Sequence, residues 1–145
     1  MTDKPDINAP EGFRPHTRKS RVTDPWEPLF SRVQNDVLQI GLRLDDAHCN
    51  SRGLVHGGVI AALADNAMGY SYVMAMMKAA GSDNKIGAVT ISLQIDYASS
   101  AKLGQWLQIE PRIVKAGRSI GFVDALVTAD GDTVARASAS FKLLA

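Results

Sequence analysis

The chain has one cysteine, almost no net charge and no apolar leader, and each shortage excludes a class of protein. Cys49 stands alone, so the chain forms no internal disulfide. A net charge of +1, without a basic cluster among aromatic residues, gives no electrostatic surface for nucleic acid. The first residues, MTDKPDINAPEG, lack the apolar core of a signal peptide. We therefore expect a cytoplasmic protein that binds neither nucleic acid nor membrane.

Proline is scarce beyond residue 28. Five of the six prolines lie in the first 28 residues, where they and the surrounding charges prevent a long regular helix or strand. We predict a proline-rich N-terminal arm over residues 1–30, partly disordered, followed by one domain over residues 31–145. Asp24 and Pro25 resemble a helix N-cap and first position, and they lead into three apolar side chains that should pack on the domain: Trp26, Leu29 and Phe30.

One long apolar stretch, Val55–Met77, predicts a helix that is buried on nearly all sides. Asp65 and Asn66 near its middle, and the lack of an aromatic belt or basic flanks, argue against a membrane span. Residues 79–83 are small or polar and should end the helix. A carboxylate in such surroundings costs several kcal/mol unless it is protonated, paired or functional, so Asp65 is a candidate for chemistry.

Alternation of apolar and polar side chains marks the strands. It covers Val37–Leu44 before the helix and four segments after it: Val89–Tyr97, Trp106–Val114, Ser119–Thr128 and Thr133–Leu144. Turn signals at residues 116–117 and 130–131 separate the last three segments, as in successive antiparallel hairpins. We therefore predict an α+β fold in which one antiparallel sheet wraps around one long central helix.

The helix begins with His56, Gly57 and Gly58, a start that suits the binding of an anion. Glycine lets a substrate approach the backbone, and the N–H groups and positive dipole of a helix N-terminus face it. The N–H of Gly57 is therefore a candidate oxyanion donor, and Gly58 is a candidate for substrate binding.

The segments NSRGLVHGGVIAALADN (residues 50–66) and VTISLQIDYASSAKLG (residues 89–104) resemble the hotdog-fold thioesterases, specifically the PaaI-like (phenylacetic acid degradation-type) family, which hydrolyses acyl-coenzyme A. The resemblance covers roughly residues 37–144. It implies that Asn50 polarises the thioester carbonyl, His56 lies near the leaving thiol, Asp65 is the base or nucleophile, and Thr90 helps to hold the water. The family often has serine at the position of Thr90.

Spacing along the helix adds a requirement for a second chain. Gly57 and Asp65 are eight residues apart, which is about 12 Å along a helix axis, so one thioester cannot touch both. If both act on the same carbonyl, Asp65 must come from a second subunit whose helix runs antiparallel across a two-fold axis. The resemblance implies the same site at a subunit interface. We expect an obligate homodimer and, beyond it, a homotetramer formed as a dimer of dimers.

The substrate carries phosphates, and three basic residues near turns are candidates to bind them: Lys102, Lys115 and Arg118, with Arg118 the first choice. We expect no cofactor and no metal. Asp45, Asp46, His48, Cys49 and His56 superficially resemble metal ligands but fit no known zinc spacing.

A non-catalytic acyl-coenzyme A-binding hotdog protein and a hotdog enoyl-coenzyme A hydratase remain as alternative functions. Two structural interpretations also stay open: the glycines at 57 and 58 would serve only close helix packing, and Asp65 would be satisfied by neighbouring backbone. The acyl group is open among short aliphatic, medium-chain and aryl groups, because side chains from both subunits set the pocket depth.

Overall fold

The computed structural model describes residues 9–81 and 85–144. It contains one long helix, α1 (Gly57–Ala80), and an antiparallel sheet of seven strands: β1 (Arg14–Pro15), β2 (Phe30–Gln34), β3 (Val37–Arg43), β4 (Gly87–Tyr97), β5 (Trp106–Ala116), β6 (Ile120–Ala129) and β7 (Asp132–Leu144). The strand order across the sheet is β1-β2-β3-β5-β6-β7-β4, and α1 contacts the five strands from β3 to β7. This confirms the predicted α+β fold, a sheet wrapped around a central helix.

Helix α1 buries only one side in this chain. His56 caps its N-terminus, and it ends at Gly81, which adopts a positive φ of 61°. The buried residues recur every three or four positions: Val59, Ile60, Leu63, Ala64, Ala67, Met68, Ser71 and Tyr72. The opposite side carries half-exposed apolar residues such as Tyr70, Val73 and Met74. The predicted burial of the helix on nearly all sides is therefore wrong for a single chain, because the sheet covers only one side of the helix.

All five predicted strands are present, and the structure adds two that the sequence analysis missed. β2 pairs with β3 through a turn at Asn35 and Asp36, both of which have positive φ. β1 pairs with β2 at the outer edge of the sheet. Within the part of the chain that the structure describes, no helix is long and apolar enough to cross a membrane.

The described part of the N-terminal arm packs on the sheet. Phe13 and Phe30 surround Trp106, and Leu29 enters the main core, which confirms the predicted packing of the apolar residues after the turn. Asp24–Trp26 forms a single 3-10 turn whose N-cap is Thr23. The cap predicted at Asp24 is thus one residue too late. The division at residue 30 stays a prediction.

Strand β4 forms an edge of the sheet and contains a bulge between Thr90 and Ser92. The bulge inserts one extra residue, so the alternation of faces is reversed on its N-terminal side. Thr90 consequently pairs with Phe141, a core residue, and faces the helix together with Ile95 and Tyr97. Strict alternation along Val89–Tyr97 would instead place Thr90 with the polar residues, on the face of the strand that points away from the helix.

Candidate active site

Asn50 organises the loop that precedes α1. Its side-chain oxygen accepts hydrogen bonds from the backbone N–H groups of Arg52 (2.9 Å) and Leu54 (3.2 Å). A bridge between Cys49 and Val55 closes the same loop. The amide nitrogen of Asn50 has no acceptor within residues 9–81 and 85–144, and the residue is exposed. The loop thus uses the oxygen of Asn50 and leaves its N–H groups to bind a ligand.

His56 is the N-cap of α1. Its Nδ1 accepts a hydrogen bond from the N–H of Gly58 at 2.8 Å, so the ring proton of the neutral form lies on Nε2. The ring is exposed, and Nε2 can donate to a group outside the helix. Because the N–H of Gly58 is already engaged, Gly58 offers a substrate space rather than a donor.

Gly57 carries a free N–H between two fixed peptide groups. No acceptor among the described residues bonds this N–H. On one side, the His56 carbonyl accepts from the N–H groups of Val59 (3.0 Å) and Ile60 (3.4 Å). On the other, the Gly57 carbonyl accepts from the Tyr97 hydroxyl at 2.6 Å. The N–H of Gly57 shares a planar peptide group with the His56 carbonyl, so the helix fixes its direction. The Tyr97 contact holds the next peptide group and so limits the flexibility of the Gly57 backbone.

Tyr97 is a site residue that the sequence analysis missed. It lies at the end of β4, and a Cβ atom at Gly57 would come within 3.1 Å of its ring and hydroxyl. A side chain at position 57 would therefore crowd Tyr97, which would have to move by a few tenths of an ångström. Burial raises the pKa of Tyr97, which keeps its hydroxyl protonated as a donor. The only signal in the sequence was a hydroxyl within an otherwise apolar row of strand residues.

Asp65 lies on α1, eight residues beyond Gly57. Its Oδ1 accepts a hydrogen bond from the Thr90 hydroxyl at 2.7 Å, and the carboxylate is half-exposed. The bulge in β4 makes this contact possible, because it turns Thr90 toward the helix. Asp65 is therefore partnered by a side chain and open to a ligand, rather than isolated in the core.

The chain holds two half-sites that it does not bring together. Tyr97 meets Gly57 at one end of β4, and Thr90 meets Asp65 at the other, so β4 runs antiparallel to α1. The eight residues between Gly57 and Asp65 span about 12 Å of helix. Each end is open to solvent at half-exposed or exposed residues.

The three predicted phosphate-binding residues are exposed and lie at different ends of the fold. Lys102 forms an isolated backbone β-bridge with Leu54, beside the Asn50 loop. Lys115 and Arg118 lie at the turn between β5 and β6, where the Tyr72 hydroxyl of α1 donates to the Gly117 carbonyl at 2.6 Å.

The suspected metal ligands have structural roles. His48 is buried, its Nδ1 accepts from the N–H of Asp45 at 3.0 Å, and its Nε2 bonds the Trp26 carbonyl at 2.8 Å. Burial and the carboxylates of Asp45 and Asp46 raise the pKa of the Cys49 thiol, which disfavours the thiolate that binds metals. No group of three or more such ligands occurs in the described ranges.

A cleft of about 380 Å³ opens beside Asp65 and Thr90. Asn66 and Tyr70 line it from α1, and the N-terminal arm contributes three residues: His16, Arg18 and Ser20. The sequence analysis gave the arm no part in the site. A charged, proline-broken segment has no periodicity from which its contacts could be predicted.

Comparisons with known proteins identify the family of the chain. The Thioesterase superfamily model matches residues 52–136, which is more than half of the chain. A Pseudomonas aeruginosa protein with the provisional name esterase PA0474 is 36% identical over 138 residues, covering 94% of this chain and 98% of its own. Human acyl-coenzyme A thioesterase 13 is 30% identical over 97 residues, covering 66% of this chain and 64% of its own. The structure of smu.793 from Streptococcus mutans bound to acetyl-CoA has a TM-score of 0.72 at 26% identity, covering 89% of this chain and 94% of that one.

Proposed function

Because the chain belongs to the thioesterase superfamily, we propose that it hydrolyses acyl-coenzyme A to a free acid and coenzyme A, with a site shared between two subunits. The N–H of Gly57 is the oxyanion donor, and Asp65 of the other subunit is the general base or nucleophile. The names of the human relative and the acetyl-CoA-bound neighbour support acyl-coenzyme A as the substrate class.

One observation carries the proposal. The N–H of Gly57, which has no partner among the described residues, and the half-exposed carboxylate of Asp65 lie about 12 Å apart on one helix. Neither half is sufficient alone, because hydrolysis needs both a donor for the oxyanion and a group that activates water or attacks the carbonyl. Two antiparallel copies of α1 bring each Gly57 opposite an Asp65.

Two surfaces of the chain suit such a dimer. The outer edge of β4 has no strand partner among the described residues, although it is eleven residues long and exposes Val89, Ile91 and Leu93. Long apolar edges are normally covered in native proteins. The half-exposed apolar side of α1 lies next to this edge. Pairing through a two-fold axis covers both surfaces at once.

In such a two-fold dimer, Lys102 of one subunit lies on the same side as Lys115 and Arg118 of the other. If Gly57 of one subunit lies level with Asp65 of the other, Tyr72 of that other subunit lies about 10 Å beyond the Gly57. The Asn50 loop and Lys102 occupy this same side. We therefore assign the phosphates of coenzyme A to Lys102 of one subunit and Lys115 and Arg118 of the other.

The reaction then follows from the positions of the donors. The thioester oxygen faces the N–H of Gly57 and the amide of Asn50, which stabilise the negative charge that develops on it. Asp65, held by Thr90, takes a proton from the attacking water, or attacks the carbonyl itself to form a mixed anhydride that water then hydrolyses to the free acid. The C–S bond breaks, and His56 Nε2 lies at the side where the departing sulfur requires a proton.

A subunit-mixing experiment tests the shared site. Asp65→Asn removes the carboxylate, and Asn50→Asp removes the amide donor while retaining the oxygen that shapes the loop. Each homodimer should release little thiol from acyl-coenzyme A. In a heterodimer, one site carries both changes and the other carries neither. Random reassembly of equal amounts makes half the dimers mixed, so about a quarter of wild-type sites should return.

The control is verification of mixing by native mass spectrometry. Activity that stays at the parental level in verified heterodimers would show that Asn50 and Asp65 serve a site within one subunit. Recovery near a quarter would establish the interface site.

A further inference from the structure

The cleft beside Asp65 has a cation at its far end. The guanidinium of Arg18 lies 4.6 Å from the centre of the Tyr70 ring, which forms part of the cleft wall. Across residues 9–81 and 85–144, no carboxylate forms an ion pair with Arg18. The nearby carboxylate of Glu27 is occupied by Lys19 at 3.1 Å. A charge left unpaired at the wall of a binding cleft favours a ligand of opposite charge.

The second observation is the hydroxyl of Tyr70. It is buried, and nothing in the described part of the chain hydrogen-bonds to it. Buried polar atoms in native proteins almost always have a partner, and leaving one without a partner is costly. Tyr70 lines the cleft that contains Asp65, so a ligand group in this cleft is a natural acceptor for its proton.

The arm holds Arg18 in place from both sides. On one side, the N–H of His16 bonds the Leu29 carbonyl at 2.9 Å. On the other, Ser20 accepts from the N–H groups of Thr23 and Asp24 at 3.1 and 2.9 Å. His16 itself adds no charge at neutral pH, because burial lowers its pKa. The backbone on both sides of Arg18 is therefore held, and its exposed guanidinium lies against the Tyr70 ring at the wall of the cleft.

The position of this polar end sets a length. Tyr70 is five residues beyond Asp65, a rise of about 7.5 Å along the helix. This is about six extended bonds, the span from the thioester carbon to a terminal carboxylate oxygen in a six-carbon diacid. A cleft of about 380 Å³ has room for an acyl chain of this length.

We infer that the acyl group accepted by this site ends in a carboxylate, which binds the Tyr70 hydroxyl and pairs with Arg18. The substrates are then coenzyme A half-thioesters of dicarboxylic acids of about six carbons. The inference rests on the proposed hydrolysis, since it assumes that the thioester lies at Asp65 and the chain extends along α1.

The test compares adipoyl-CoA with hexanoyl-CoA, which have the same six-carbon length and differ in a terminal carboxylate or methyl group. Released thiol gives kcat/KM for each. We expect wild-type protein to favour adipoyl-CoA by at least about tenfold, the effect of one charge-assisted pair. Arg18→Gln should lower kcat/KM for adipoyl-CoA by about 10- to 100-fold and leave hexanoyl-CoA within about twofold. Tyr70→Phe should act in the same direction, by several-fold.

Arg21→Gln is the matched control, because Arg21 is an exposed arginine on the same arm that does not line the cleft. It should leave both substrates unchanged. Equal kcat/KM for the two substrates in wild-type protein, or an Arg18→Gln variant that slows both alike, overturns the inference.

Binding separates this inference from the proposed hydrolysis. Calorimetry with the Asp65→Asn variant measures the Kd of both thioesters without turnover. If wild-type protein hydrolyses neither thioester but the variant binds adipoyl-CoA at least tenfold more tightly, the hydrolysis proposal is wrong and the acyl inference stands. Equal Kd values show that the acyl inference is wrong, whatever the turnover.

Discussion

Substituting Tyr97 by phenylalanine removes the contact that holds the peptide group after Gly57 and thereby helps to hold the backbone that carries the Gly57 N–H. The change removes one hydroxyl, whose hydrogen bond to the Gly57 carbonyl measures 2.6 Å, and keeps the ring that packs on Gly57. The Gly57 carbonyl retains its helical acceptor role, so no buried group loses every partner. A hydrogen bond of this kind contributes about 0.5–1.5 kcal/mol, which limits the expected loss of stability.

The loss of transition-state stabilisation should be similar in free energy to the loss of stability, and it should appear in kcat rather than in KM. Oxyanion donors act by their direction, and removal of a whole donor typically costs about 10²–10³ in kcat. Tyr97→Phe leaves the donor present but less fixed, so we expect kcat to fall about tenfold, equivalent to about 1.4 kcal/mol, with KM within about twofold. The measurement is thiol release at saturating and limiting acyl-coenzyme A.

Tyr72→Phe is a matched control for this experiment. Tyr72 also donates a 2.6 Å hydrogen bond to a backbone carbonyl, that of Gly117, and burial raises its pKa as it does for Tyr97. Tyr72→Phe should lower the melting temperature at least as much as Tyr97→Phe, because Tyr72 is fully buried, but only Tyr97→Phe should lower kcat at saturation. Equal kcat values for the two variants would refute the positioning role of Tyr97.

Three further predictions follow from the same structure. Prolonged chelation with EDTA should leave hydrolysis unchanged, because the proposed donors are N–H groups; loss of activity that zinc restores would contradict this. Ala61→Glu should give an inactive monomer in light scattering, because Ala61 lies midway between Gly57 and Asp65, where two antiparallel helices would cross; an active dimer would exclude this crossing. Burial lowers the pKa of His16 below its usual value of 6.5, so His16 stabilises the fold above that pH and the contribution is lost as pH falls. The melting temperature of His16→Gln should therefore depend less on pH between 7 and 5 than that of wild type, and equal dependence would argue against it.

The sequence predicted the parts of the fold that depend on regular patterns. Apolar residues on nearly all sides of Val55–Met77 predicted the central helix, and alternation predicted five strands. The same alternation misplaced Thr90, because one inserted residue at a bulge reverses the faces and leaves no mark in the pattern. The short strand β2 was missed because alternation over five residues next to a proline-rich segment is a weak signal.

The candidate site was predicted to a different extent at each residue. Asp65 stood out because a carboxylate in an apolar helix is costly. The double role of Asn50, an oxygen for the loop and an amide for a ligand, requires knowledge of the loop geometry. Tyr97, at the end of a strand, contacts Gly57, and Arg18, in the N-terminal arm, contacts Tyr70. In both pairs the two residues are far apart along the chain. Such contacts depend on the tertiary fold, which local patterns do not specify.

The apolar excess of α1 connects the fold with the shared site. A single sheet covers one side of a helix, and the buried residues of α1 account for that side. The other side remains half-exposed from Tyr70 to Met74, next to an unpaired edge strand. Exposed apolar surface of this kind is characteristic of protein interfaces. The same helix holds the Gly57 N–H and the Asp65 carboxylate about 12 Å apart, and the proposed mechanism needs a second, antiparallel helix to bring the two groups together. Under that mechanism, the composition of the helix and the separation of Gly57 from Asp65 both favour the same partner, a second copy of this chain.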